Sequence, residues 1–82
     1  MKEINYQTQG TCSRLIHIEL DDNNVIQNTY FIGGCNGNLQ GVCALIKGQK
    51  AEDVIARCKG ISCNGRPTSC PDQLATALEQ AL

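Results

Sequence analysis

Gly33-Gly34-Cys35-Asn36-Gly37-Asn38 separates two halves of the chain that have different periods. Before it, Val25 to Ile32 is rich in β-branched and aromatic residues, which suit a strand. After it, Leu39, Val42, Cys43 and Ile46 fall at i, i+3, i+4 and i+7, one stripe of a helix. Glycines on both sides of the cysteine open backbone conformations closed to other residues, so Cys35 is expected on a tight, exposed turn. Asn36 or Asn38 is the expected cap of the helix that follows. Cys35 then stands at a helix N-terminus, where partial positive charge and free N–H groups favour a thiolate.

Towards the N-terminus, Arg14 to Leu20 alternates cleanly and supplies the strand partner. Ile16, Ile18 and Leu20 point one way and Leu15, His17 and Glu19 the other. Asp21-Asp22-Asn23-Asn24 is a polar turn between the two. Glu3 to Thr8 reads as an edge strand, and Gly10-Thr11-Cys12-Ser13 as a turn or bulge carrying Cys12. Towards the C-terminus, Gly48 ends the first helix. Ala51, Val54, Ile55 and Cys58 repeat the helical spacing, with Glu52 and Asp53 in the first turn and Gly60 as the stop. Ile61 to Ser69 is rich in Gly, Pro, Ser and Asn and reads as a loop holding Cys63. Pro71 opens a last helix with Leu74, Leu78, Ala81 and Leu82 on one face, which gives Cys70 the same helix-end position as Cys35. Strands followed by helices predict a single α+β domain over residues 1–82: a small antiparallel sheet of about three strands with two or three helices on one face.

The 82 residues are 41% hydrophobic but contain no Trp and one Phe, so the core must be small and aliphatic. A metal, disulfides or a homodimer would supplement such a core. A net charge of −1 without a basic run excludes a broad nucleic-acid footprint. No apolar stretch approaches membrane-spanning length, and the start lacks the apolar run of a secretory signal. A cytosolic setting follows, in which six cysteines point to metal or redox chemistry before a disulfide framework.

Cys43 and Cys58 lie on apolar stripes and read as small buried hydrophobes. Cys12, Cys35, Cys63 and Cys70 each lie in a break of the periodic pattern. Helices with N-termini towards one sheet edge would bring those breaks together, and four thiolates suit Zn²⁺ or, second, an iron–sulfur cluster. Asn36, Asn38 and Ser69 would then donate hydrogen bonds to sulfur, and Arg66 would face the thiolates or an anion. The separations of 23, 28 and 7 match no zinc-ribbon spacing. His17, the sole histidine, reads as a solvated or packed strand residue before a ligand, and no nucleophile–histidine constellation is present. Asp72 and Gln73 fall in the first turn of the last helix, where capping explains them.

Thr68-Ser69-Cys70-Pro71-Asp72 is the motif after which the TSCPD-domain family is called. With Gly10-Thr11-Cys12-Ser13, the Gly33 to Asn38 stretch and Ile61-Ser62-Cys63-Asn64-Gly65, the chain resembles stand-alone members of that family over nearly its whole length. In the family the domain also forms the C-terminal module of cobalamin-dependent ribonucleotide reductases. The resemblance therefore implies a ribonucleotide reductase, or another protein, as partner. It does not imply reductase catalysis, which needs a barrel of several hundred residues that this chain lacks.

The order of elements is also similar to the U-type iron–sulfur scaffold proteins, which assemble a cluster on three cysteines at a sheet edge and also bind zinc. Cys12, Cys35 and Cys70 match those positions. Arg14 stands where the scaffold has an aspartate that tunes cluster release, and Ser69 replaces its histidine. Cys63 is an additional thiol able to serve as fourth ligand, so the resemblance implies a closed, more permanent site. The expected role is a non-catalytic, cysteine-ligated metal module. The alternatives are a thiol-redox protein cycling Cys63 and Cys70, and a metal-free interaction domain.

Overall fold

In a computed structural model of the protein, residues 1–10, 13–34, 36–62, 65 and 68–82 are described. Three strands, β1 (Lys2–Gln7), β2 (Ser13–Leu20) and β3 (Ile26–Gly33), precede three helices, α1 (Asn36–Ile46), α2 (Ala51–Cys58) and α3 (Cys70–Ala81). The sheet is an antiparallel meander in the order β1-β2-β3, as the alternating pattern predicts. Asn24 takes a left-handed φ of 61° at the β2–β3 turn. The Asp21 carboxylate accepts from the Asn23 and Val25 N–H groups there, which closes the turn locally.

Ile16, Ile18 and Leu20 are fully buried, and with Ile26 they form the sheet's side of the core. Ile46, Ala51, Val54, Leu74, Ala77 and Leu78 supply the helical side. α3 lies over β1 and β2, α1 over β3, and α2 against α3. Gly48 N–H donates to the Ile26 carbonyl at 2.8 Å and Ile26 N–H to the Gln49 carbonyl at 2.9 Å. The α1–α2 connection is thereby stitched to the start of β3.

Two local departures from alternation matter. Ser13 pairs with Gly33 and Leu15 with Ile32, so Arg14 is an extra residue in β2, a β-bulge. Its effect is to bury Ser13, which is 3% exposed, while Arg14 faces solvent. A second irregularity lies between Glu19 and Leu20.

Three expectations are corrected. Leu82 is not on the apolar face of the last helix: it follows α3 and is 55% exposed. Cys43 and Cys58 are only partly buried, because their stripe positions lie at the margin of a core that a three-stranded sheet is too narrow to extend over them. Asn36 and Asn38 are not caps, since α1 already begins at Asn36.

Thr29 sits opposite Ile18 on the core side, and its buried hydroxyl has no partner among the described residues. Burying a hydroxyl without a hydrogen bond costs stability, and valine has the same shape. Thr29→Val is expected to raise unfolding stability by about 1 kcal/mol, read as a higher denaturant midpoint at unchanged slope.

Candidate functional site

The TSCPD stretch acts first as the hydrogen-bonded start of α3. Ser69, with extended backbone, is the N-cap: its hydroxyl accepts from the Asp72 N–H at 3.2 Å and donates to the Ile61 carbonyl at 2.6 Å. Its hydroxyl proton is thus directed to a loop carbonyl, which ties the chain after α2 to the start of α3. Pro71 occupies the first turn, where its missing N–H costs nothing.

A directed chain of hydrogen bonds runs through the same residues. Gln9 N–H donates to Gln73 Oε1 at 3.1 Å, and Gln73 Nε2 donates to Thr68 Oγ1 at 3.0 Å. The Thr68 hydroxyl donates to Asp72 Oδ2 at 2.5 Å, while Asp72 Oδ1 accepts from the Gly60 N–H at 2.6 Å. These bonds hold the Asp72 carboxyl below the usual carboxylate range, first through Thr68, then Gly60, with Lys59 adding. Three separate pieces of backbone, residues 9–10, 60–61 and 68–73, are joined by the side chains of Thr68, Ser69, Asp72 and Gln73. Gly10, at φ +75°, lies so close that a Cβ there would stand 3.0 Å from Thr68 Cγ2.

The buried Ser13 is the meeting point of the other pieces. Its hydroxyl lies 3.3 Å from Cys70 Sγ, across from β2 to the first residue of α3. A Cβ on Gly34 would lie 3.3 Å from Ser13 N, so the turn before α1 packs against the same backbone. The Thr8 hydroxyl donates to the Ser13 carbonyl at 2.5 Å, and Thr8 N–H donates to the Arg14 carbonyl at 3.1 Å. Ser13, Gly34 and Cys70 therefore share one corner of the domain, where β2 begins and α1 and α3 have their N-terminal ends.

Of the sequence-predicted residues, Cys70 stands at this corner, half-buried. Ser69 caps α3, and Asn38 is exposed in the first turn of α1. Cys12, Cys35, Cys63 and Arg66, together with the Asn36 side chain, lie outside the described residues. Ser13 was legible only as a neighbour of Cys12; its turn towards Cys70 depends on the bulge, which alternation does not signal. Cys43 and Cys58 are set apart by chemistry as well as place. Burial raises both thiols above their ordinary value, opposed by a backbone hydrogen bond at Cys43 and by Arg57 at Cys58, so both favour the neutral form.

No helix among the described residues is long and apolar enough to cross a membrane. No curated protein and no solved structure matches the chain. A family model described as TSCPD domain matches residues 2–82, which takes in the cap, the hydrogen-bond chain and the shared corner alike. By that match over almost its full length, the chain belongs to the TSCPD domain family.

Proposed function

We propose that this domain is a cytosolic, non-catalytic metal module in which Cys12, Cys35, Cys63 and Cys70 ligate one ion, Zn²⁺ before an iron–sulfur cluster. The observation that carries the reading is the Ser13 corner. Ser13 follows Cys12, Gly34 precedes Cys35, and both pack where Cys70 begins α3. Ser13 and Gly34 are the chain neighbours of Cys12 and Cys35, one Cα–Cα step of about 3.8 Å away, which supports a site that these two thiols share with Cys70. The Ser69–Ile61 bond supports the fourth, because it anchors the chain two residues before Cys63 to the start of α3. A Ser13 hydroxyl beside Cys70 Sγ is the kind of partner that orients a thiolate ligand. Four such ligands close the coordination sphere, which suits a structural role in support of a protein partner, a ribonucleotide reductase being the partner that the shared domain suggests.

Elemental analysis of anaerobically purified protein tests this. About one tightly held metal per chain is expected at the thiols, and single Cys→Ser changes at the four positions should remove that equivalent and lower thermal stability. Cys43→Ser and Cys58→Ser should retain the full metal content. Metal-free protein that loses two thiols on mild oxidation and recovers them with dithiothreitol would replace this reading with disulfide exchange between Cys63 and Cys70.

A further inference from the structure

The sheet face opposite the helices carries a second, chemically different cluster. Asn5, His17 and Tyr30 stand side by side across the three strands, and Glu3, Glu19 and Asn28 form the next row. His17 is 8% exposed, and its ring stacks on Tyr30 at a centroid distance of 4.8 Å. Nδ1 lies 2.7 Å from Asn5 Oδ1 and Nε2 lies 3.0 Å from Glu19 Oε2.

The cluster draws positive charge onto Nε2 of His17, either as a second proton paired with Glu19 or as a metal ion. An amide oxygen only accepts, so with Asn5 Oδ1 facing it Nδ1 is the donor. Nε2 meets the acceptor-only Glu19 carboxylate either through a second proton or, as a lone pair, through a metal ion held by both. Glu3 directly opposes Glu19 across the β1–β2 pair, a like-charge juxtaposition that destabilises a sheet. One ligand atom from each of Glu3, His17 and Glu19 lies within 4.8 Å of the other two. Two carboxylates and an imidazole nitrogen facing one point, with the imidazole oriented from behind by an amide, is a donor set that a metal ion can hold in place of a proton.

We propose that Glu3, His17 and Glu19 form a divalent-cation site, distinct from the thiol corner, that takes Zn²⁺ through one imidazole nitrogen and two carboxylates. Zn–N and Zn–O bonds near 2.1 Å place neighbouring ligands about 3 to 3.5 Å apart, which the Nε2–Oε2 distance of 3.0 Å already approaches. Three protein ligands leave coordination positions for water on this exposed face, unlike a closed four-thiolate site. Asn5 is a positioning residue: it holds the tautomer and touches no metal. The two sites share no ligand residue, since this one is built from imidazole and carboxylate alone.

His17 is the sole histidine, so its ring signals report this site without ambiguity. Zn²⁺ is titrated into the full chain and the two ring nitrogens are followed by ¹H–¹⁵N NMR. The expected result is a saturable shift of Nε2 with Nδ1 still protonated, retained in Cys70→Ser. Glu3→Gln and Glu19→Gln should each weaken the binding at least tenfold. Asn5→Ala should weaken it about tenfold and mix the tautomers. An Nε2 signal that Zn²⁺ leaves unmoved overturns the proposal. So does a shift of equal affinity in Glu3→Gln, an exposed position where misfolding does not confuse the answer. Loss of the shift in Cys70→Ser would assign the ion to the sulfur corner instead.

Discussion

Gly34→Ala is expected to lower unfolding stability by about 3 kcal/mol, combining left-handed backbone strain with overpacking. Gly34 has φ +85°, and a Cβ there would stand 2.8 Å from Leu39 Cδ1, 3.3 Å from Ser13 N and 3.4 Å from Ser13 Cα. The Leu39 methyl can swing aside, but the Ser13 backbone belongs to β2 and cannot. For a domain of this size the melting temperature should fall by on the order of 15 °C, followed by circular dichroism. Gly37→Ala is the internal control. It lies in α1 with open space around it, so alanine should be neutral or stabilising by up to about 1 kcal/mol. Equal effects at both positions would show that Gly34 is not held against Ser13. Under the proposed function, Gly34→Ala should also lose metal, because it displaces the backbone that adjoins Cys35 in the chain.

Asp72→Ala should cost about 2 kcal/mol, since it removes a carboxylate that accepts two hydrogen bonds and sits in the first turn of α3. Asp72 is partly exposed, so water can take over at the Gly60 N–H, which keeps the cost below that of a buried network. The dependence on acidity has a defined sign. Because the folded carboxyl titrates below its ordinary value, its contribution is fully present above the unfolded value of about 3.9. That contribution is lost as pH falls through the lowered folded value. Denaturant titrations from neutral pH down to about pH 3 should therefore show wild type losing its advantage over Asp72→Ala. A constant difference across that range would mean that Thr68 and Gly60 do not bind the ionised form. The exposed Lys59–Glu79 pair nearby is worth little by comparison.

The sheet and its core were readable because a strand of period two and a helix of period 3.6 place apolar residues at distinct intervals. Ile16, Ile18 and Leu20 on one side, and Val54, Leu74 and Leu78 on the other, needed nothing more. Cys43 and Cys58 were read as more buried than they are, because periodicity assigns a face but not how far the opposing layer extends. At the candidate site, Ser69, Asp72 and Gln73 could be placed in the first turn of α3 from spacing. Their reach to Ile61, Gly60 and Gln9 could not, because those partners are set by how α3 docks. The acceptor cluster at His17 was equally hidden: it depends on cross-strand register, which a hairpin reading allows but does not fix without the bulges.

The extra residue in β2 separates what builds the domain from what arms it. Downstream of Arg14, Ile16, Ile18 and Leu20 all fall on the core side of the sheet. Upstream, a half-period slip brings a hydroxyl round to meet a sulfur. A lineage that dropped this one residue would inherit the same folded frame with Ser13 turned away from Cys70. Selection can therefore act on the corner's chemistry without renegotiating the architecture that carries it.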